Sequence, residues 1–496
     1  MEKLSRQLEH QKVESSLEKN SAFLDEILGV GKSFDIVGRD LVYGGKKFRL
    51  YFVDGFAKDD VMNRIMEYLG QLERKDLVPD VIGHLLHTHI GYLEVEKTDE
   101  MKKIVTAVLS GPLALLVDGE REAILIDARS YPARNPDESE LERVVRGSRD
   151  GFVETLVFNT ALTRRRVRDP SLRMEYYQVG KRSMTDICLS YLEDVADPDL
   201  VEILRNRLRE IQTDGLPMAE KSLEEYIFKR HWNPYPMVRY TERPDVAAVH
   251  LLEGHVLIYV DTSPSVMITP TTFFHHVQHA EEYRQKPVIG AVLRWVRFVA
   301  MFASVFLLPM WYLVAVQPDL LPDAWQFIGP KKPGELPLFL QIVIAEVGVE
   351  ILRMASIHTP SPLVTAMGLV AAILLGETAV NVGLFTSEVI LYLAAAVIGT
   401  YATPSYEMSL ANQLVRVILL VLTALFQLPG FLIGVAAWLV LLALTRSLNT
   451  PYMWPLIPIN LKALWDVLVR SPMPIKSKRP RILSPNDPDR GGSADP

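Results

Sequence analysis

Glu346, Glu350 and Arg353 stand four and three residues apart within an otherwise apolar stretch, Leu336 to Ile357. On a helix that spacing sets all three along one side. Glu377 lies in a second apolar stretch, Pro362 to Phe385, with the polar Asn381 one turn on. Ionisable groups are costly where they face lipid, so inside a membrane they line a water-filled path or pair within a bundle. The first alternative makes Glu346, Glu350, Arg353, Glu377 and Asn381 line a route for an ion or solute, unless Arg353 holds Glu350 in place instead. The second makes Glu350 and Arg353 an internal ion pair that joins helices. Spacing leaves both open.

A second group is His275, His276 and His279, followed at once by Glu281, Glu282 and Arg284. His275 and His279 are four apart and can share a helical face, the spacing a zinc site uses. A zincin motif needs Glu directly after its first histidine, and here that position is His276, so protease chemistry is not expected. A structural or regulatory metal site remains, as does a juxtamembrane hinge titrating at about pH 6.5. Plain interfacial packing is the third reading. His84, His87 and His89 sit in an apolar stretch and read as core or subdomain-interface histidines. The third group is basic: Arg164, Arg165, Arg166 and Arg168. It reads as a contact for anionic lipid headgroups or an acidic partner, or as a solvated helix face paired with nearby acids. No GxxxxGK[ST] or GxGxxG follows any strand signal, and no nucleophile and base can be paired, so neither a cofactor nor an enzyme is expected.

The elements that must position these groups divide by solvent. Residues 1–286 hold 39 Lys+Arg and 48 Asp+Glu, whereas residues 287–470 hold 9 and 9. The acidic first half argues against nucleic acid, which requires a basic face. The charge-poor second half argues for lipid. Phe298 to Pro318 carries no charge. As a helix it is long enough to match the hydrocarbon core of a bilayer. Val389 to Tyr406 and Val417 to Thr445 are also uncharged, the latter interrupted by Pro429-Gly430. The pieces on either side of that dipeptide are each short for a crossing, so a single kinked span is expected. Arg294 and Arg297 before the first span, and Arg446, Lys462, Arg470, Lys476, Lys478, Arg479 and Arg481 after the last, place both termini in the cytoplasm. Two internal termini require an even number of crossings. Four are favoured, with Leu336 to Ile357 re-entrant, and six if the last run splits.

The polar half reads as α/β. A helical lead-in over 1–33 precedes subdomains over 34–135 and 136–286, with Pro132 to Pro136 as the break. Tyr43-Gly44-Gly45-Lys46 and Asp118-Gly119 signal hairpins, and Lys58 to Gln71 a helix. Glu138 to Arg168 reads as helical, Thr185 to Tyr191 as a buried strand, and Asp197-Pro198 as a helix start. The expected architecture is an α/β soluble N-terminal region of two subdomains followed by an all-α polytopic membrane bundle over 287–446. A basic cytoplasmic tail covers 447–496.

Several blocks in fixed order carry a family resemblance. They are Val145-Arg146-Gly147-Ser148-Arg149-Asp150-Gly151-Phe152, Asn159 to Leu162, Tyr191 to Asp194, Glu242 to Asp245, Leu251 to Gly254 and Val260 to Pro264. In the apolar half they continue with Glu350 to Arg353, Gly376 to Leu384 and Ala402-Thr403-Pro404-Ser405-Tyr406-Glu407. In these the chain resembles the A subunits of bacterial spore germinant receptors over roughly residues 34–470. The resemblance implies a multipass protein of the spore's inner membrane, acting as a homo-oligomer and passing monovalent cations early in germination. It also implies other germination membrane proteins or accessory subunits as partners, beside membrane lipid. The chain departs from the receptor pattern in its histidine group, and at Glu377 where receptor subunits commonly carry glutamine. An accessory germination role therefore follows more naturally than nutrient sensing. A non-conducting scaffold that recruits germination proteins is the alternative, and a carrier for a small anion such as dipicolinate the third reading.

Overall fold

In this computed structural model the described residues are 7–57, 59–74, 80–86, 94–129, 142, 144–229, 232–331, 334–358, 378–472 and 478–490. Alternating apolar residues and tight turns build a first antiparallel sheet from β1 (Ile36–Tyr43), β2 (Lys46–Val53), β3 (Val95–Thr98), β4 (Leu113–Val117) and β5 (Ala123–Ile126), ordered β1-β2-β4-β5-β3. Gly44 and Gly45 both take positive φ between the paired Tyr43 and Lys46. A two-residue hairpin turn of this kind requires that conformation, which glycine adopts without strain. Strand β4 is buried on both faces, which explains its unbroken apolar Leu-Ala-Leu-Leu-Val. Helices α1 (Leu17–Leu28) and α3 (Met101–Ser110) cover one face, and α2 (Asp59–Gly70) the other. The expected lead-in is helical over Leu17–Leu28, and it packs against the first sheet. Leu17, Leu24, Ile27 and Leu28 of α1 pack on Ile36 and Tyr51, because an amphipathic stripe that close to a sheet gains more from burial than from solvent.

A second five-stranded antiparallel sheet follows: β6 (Leu172–Val179), β7 (Thr185–Leu192), β8 (Arg239–Thr241), β9 (Val256–Val260) and β10 (Val266–Thr269), ordered β6-β7-β9-β10-β8. Helices α4 (Leu156–Arg166) and α7 (Pro244–Glu253) pack on one face, α5 (Pro198–Glu210) and α6 (Ala219–Phe228) on the other. Asp197 caps α5, its side chain accepting from the Asp199 amide at 3.0 Å, with Pro198 in the first turn. The helical reading of Glu138 to Arg168 holds only from Leu156. Residues 144–155 are irregular, and Pro132 to Pro136 lie outside the described residues.

The joint between the two subdomains consumes the first arginine of the basic group. Arg164, 1% exposed, donates from Nε to Asp35 Oδ2 at 2.8 Å and from one terminal nitrogen to Asp35 Oδ1 at 3.2 Å. It also reaches Ser33 Oγ and the Leu172 carbonyl. Arg166 donates to Asp150 at 2.7 Å and to Ser148 Oγ at 2.8 Å. As a surface for lipid headgroups the group is corrected: Arg165 and Arg168 reach the surface, but Arg164 is committed to Asp35.

After α8 (Ala280–Arg284), α9 (Pro287–Phe302) runs through a π turn at Ala303–Leu307 into α10 (Leu308–Val316), 30 residues in one path. Among the described residues α11 (Leu338–His358), α12 (Ser387–Tyr401) and α13 (Tyr406–Leu444) follow. The expected single kinked span is corrected within α13. Gln427 has φ 54° and ψ −135°, and beyond it the chain folds back. Tyr235 Oη accepts from Trp438 Nε1 at 2.6 Å and meets Asn412 at 3.1 Å, bringing the two arms together. A Cβ on Gly434 would lie 2.6 Å from Leu419. Pro429 supplies the break, since it has no amide to donate and clashes with the preceding turn. The arms, 406–426 and 428–444, are about 31 and about 26 Å long, the first matching the hydrocarbon core and the second at the short end of the crossing range.

Breaking one side of a buried ion pair strands the other charge. Arg164→Leu is expected to lower stability by about 3–5 kcal/mol, read as a fall in the thermal midpoint of the full chain. Adding Asp35→Leu should restore part of the loss.

Candidate functional site

The bundle's polar side chains gather around Arg416, which sits ten residues into the first arm of α13 and is 1% exposed. Its Nε donates to Glu346 Oε1 at 2.7 Å and one terminal nitrogen to Glu346 Oε2 at 3.0 Å, the two-point geometry that suits a guanidinium and a carboxylate. The other terminal nitrogen donates to Thr400 Oγ1 at 3.1 Å and to the Ser304 carbonyl at 2.8 Å. That carbonyl is available for a local reason. In the π register its donor would be the amide of residue 309, which is proline and has none. Gly399 lets α12 come close, because a Cβ there would strike the Ala300 carbonyl of α9. Four helical segments thus meet at one guanidinium.

One turn along α11, Glu350 is one-third exposed; Arg353 donates to it, and Gln413 Nε2 reaches its other oxygen at 2.9 Å. The structure therefore sets Glu346 and Glu350 one turn apart on α11, but gives each its own partners. Asn381 is not part of it. It lies exposed in the single turn Ala379–Asn381, near the loop where the Glu335 amide donates to the Gly383 carbonyl, at the opposite end of α11 from Arg353. Glu377 lies outside the described residues.

A cavity of about 390 Å³ opens between the second subdomain and the bundle, lined among others by Arg239, His279, Arg297, Arg353, Thr403 and Glu407. Residues 402–407, the loop entering α13, form one wall. The elbow beside it is held by Glu282, fully buried, which accepts from Arg294 Nε at 2.8 Å and from Arg297.

The histidines are placed differently from the sequence reading. A short 3₁₀ helix covers Phe273–His276, and His279 caps α8, accepting from the Glu281 amide at 3.2 Å. His275 and His279 therefore share no helical face, and that expectation is corrected. Instead His275 meets His250 and His255, with ring centroids 5.0, 5.1 and 6.1 Å apart. Among the described residues no three His, Cys, Asp or Glu side chains are arranged to hold a metal ion. The expected titration near pH 6.5 is corrected as well. Burial pushes His255 and His279 down to about 4 and His276 to about 3, and His250 and His275 well below their ordinary value. His84 begins no cluster that can be traced, since His87 and His89 lie outside the described residues.

The family model for the Bacillus/Clostridium GerA spore germination protein matches residues 23–482, both sheets and the bundle around Arg416 included. The chain belongs to the GerA spore germination protein family. It is a membrane protein of that family, and two of its helical paths, Pro287–Val316 and Tyr406–Leu444, are long and apolar enough to cross a bilayer. Stage V sporulation protein AF of Bacillus subtilis is 51% identical over 469 residues, 95% of each chain. Spore germination protein GerLA of Bacillus cereus is 30% identical over 465 residues, 92% of this chain and 94% of that one. The crystal structure of the N-terminal domain of the A subunit of the Bacillus megaterium spore germinant receptor GerK3 matches with a TM-score of 0.42 at 24% identity, over 53% of this chain and 98% of that one.

Sequence reasoning gave no role to Gln413, Thr400, Ser304, His250 or His255 and left Arg416 unpaired. For Arg416 a signal existed: one cation and one acid, each within an apolar helix, are expected to find each other. Nothing in the sequence ties His250 to His275.

Glu346→Gln strands Arg416 and is expected to lower the thermal midpoint of the detergent-purified chain far more than Glu350→Gln does. The buried histidines give an acid-side expectation. A histidine held neutral by burial loses stability as pH falls, because the unfolded chain takes the proton first. For His255 the window runs from about 6.5 down to about 4 at ~1.4 kcal/mol per unit. His255→Leu should shift the acid-unfolding midpoint to lower pH, with no change above about pH 7.

Proposed function

We propose that this GerA-family protein is a subunit of an oligomeric channel for monovalent cations, acting in an accessory role during spore germination. Glu350 carries the reading. It is an acid of the bundle interior left part exposed, and Arg353 beside it lines the cavity that opens toward the second subdomain. An acid at the mouth of such a route draws cations in and repels anions. The relatives support the setting: one is a stage V sporulation protein and another a spore germination protein. In this proposal the protein sits in the inner membrane of the spore with both termini in the cytoplasm, and the remainder of the path comes from neighbouring copies or from accessory germination proteins.

One observation favours the scaffold instead. Glu346, Glu350, Arg353 and Arg416 all have partners, so the polar stripe can serve helix packing alone. The same pairing weighs against an anion carrier, because Arg353 and Arg416 are already bound to carboxylates.

Purified protein in liposomes under a potassium gradient separates these readings. Wild-type flux changed several-fold by Glu350→Gln, with unchanged thermal stability, is the expected result. Absence of flux in the wild type, together with co-purification of other germination proteins from sporulating cells, would leave the scaffold.

A further inference from the structure

The chain re-approaches the bundle after α13 in a way that no role above uses. β11 (Arg446–Ser447) and β12 (Thr450–Pro451) turn it back, and α14 (Leu461–Leu468) docks on the start of α9. Asn460 starts α14, its side chain accepting from the Ala463 amide at 3.1 Å. The buried Arg294 then donates to the Asp466 and Val467 carbonyls at 3.0 and 2.8 Å, satisfying the last turn of α14. Arg470 reaches back to the Tyr283 carbonyl at 2.7 Å and to that of Gln285. Val467 is buried against the bundle. The docking is polar and specific, and it fixes which face of α14 points away.

That outward face is apolar. Leu461 is 73% exposed and Trp465 62%, four residues apart on one side of the helix, and Ile457 and Ile459 just before them are 49% and 71% exposed. A water-facing helix would carry these side chains inward. The level of the patch supplies its occupant. The α9–α10 path runs from Pro287 to Val316. A helix of that length exceeds the thickness of the hydrocarbon core, so its first turns lie in the headgroup region if its far end reaches the opposite boundary. Arg294 belongs to those first turns, at the opposite end of the path from Val316, and α14 is tied to Arg294. Tryptophan with an apolar body and one polar N–H favours this layer, and exposed Lys462 on the same helix can reach phosphate.

We propose that residues 456–468 form an interfacial anchor: a short segment lying in the plane of the membrane, with Ile459, Leu461 and Trp465 inserted at the headgroup boundary of the leaflet nearest the soluble domains. Lipid is the occupant because the patch is held at the level where the membrane helix emerges. Its consequence is mechanical. Arg294 is shared between the anchor and Glu282, so the first membrane helix, the elbow and the leaflet surface are fixed to one another. The proposal rests on the reading that α9–α10 spans a bilayer, and its test keeps the two apart.

Cys188 is the one cysteine and is fully buried, so an introduced surface cysteine can be labelled selectively. Nitroxide is placed separately at Leu461→Cys and Trp465→Cys in the full chain in lipid nanodiscs, with Val299→Cys on α9 and Val42→Cys on β1 as lipid and water references. Collision rates with oxygen and with a water-soluble nickel chelate are then compared. The expected oxygen-to-nickel ratio at 461 and 465 is several-fold above that at 42 and approaches that at 299. A ratio equal to that at 42, with 299 still lipid-like, overturns the anchor and leaves the membrane path intact. Dipolar broadening between labels on different copies also overturns it, by giving the patch to a second protomer. A water-like ratio at 299 removes the spanning helix itself.

Discussion

The bundle depends on a single buried ion pair. Desolvating a guanidinium and a carboxylate costs several kcal/mol per ion, and their attraction offsets this only when the geometry is good and the spare donors are satisfied. Arg416 meets both conditions. Two of its bonds go to Glu346, and the others to Thr400 and to a carbonyl freed by the π turn ahead of Pro309. Each of those partners comes from a different helical segment, so none can slide by a turn without stranding a charge. Helix packing in lipid has little hydrophobic drive to set register, and polar contacts of this kind supply it.

The same device recurs at the other joints of the molecule. Arg164 and Asp35 lock the first subdomain to the second. Arg294 and Glu282 lock the elbow to the first membrane helix. In each case the arginine is buried, and its remaining donors go to backbone carbonyls among other acceptors. An arginine suits this use because its planar fork satisfies several acceptors at fixed angles and stays charged. Joints of this sort are discrete: they are made or broken, with little between.

The histidines make a contrasting case. His250, His255 and His275 crowd together beside that elbow, yet they carry no charge to pair. Burial holds them neutral. Their contribution is packing, gained at the cost of acid stability. The Arg239 guanidinium acts in the same direction, and Glu253, which favours the charged form of His255, is outweighed by desolvation.

The sequence by itself determined the division into a charged α/β half and an apolar helical half, because charge density and hydrophobic period are properties of composition and local order. It determined the hairpins at Gly44-Gly45 and Asp118-Gly119, the start of α5 at Asp197-Pro198, and the membership of a family read from several blocks in fixed order. Tertiary structure alone decided which charges are free. Arg416 read as the end of an apolar run, and so the first arm of α13 was judged too short; paired with Glu346 it becomes interior, and the arm extends back to Tyr406. Arg164 read as surface, and a partner 129 residues away buries it. His275 looked toward His279 along the chain and instead faces His250 and His255, well before it in sequence. The physical reason is common to all three. What a buried ionisable group does is set by what lies within about 4 Å of it, and for these residues those neighbours are distant in sequence.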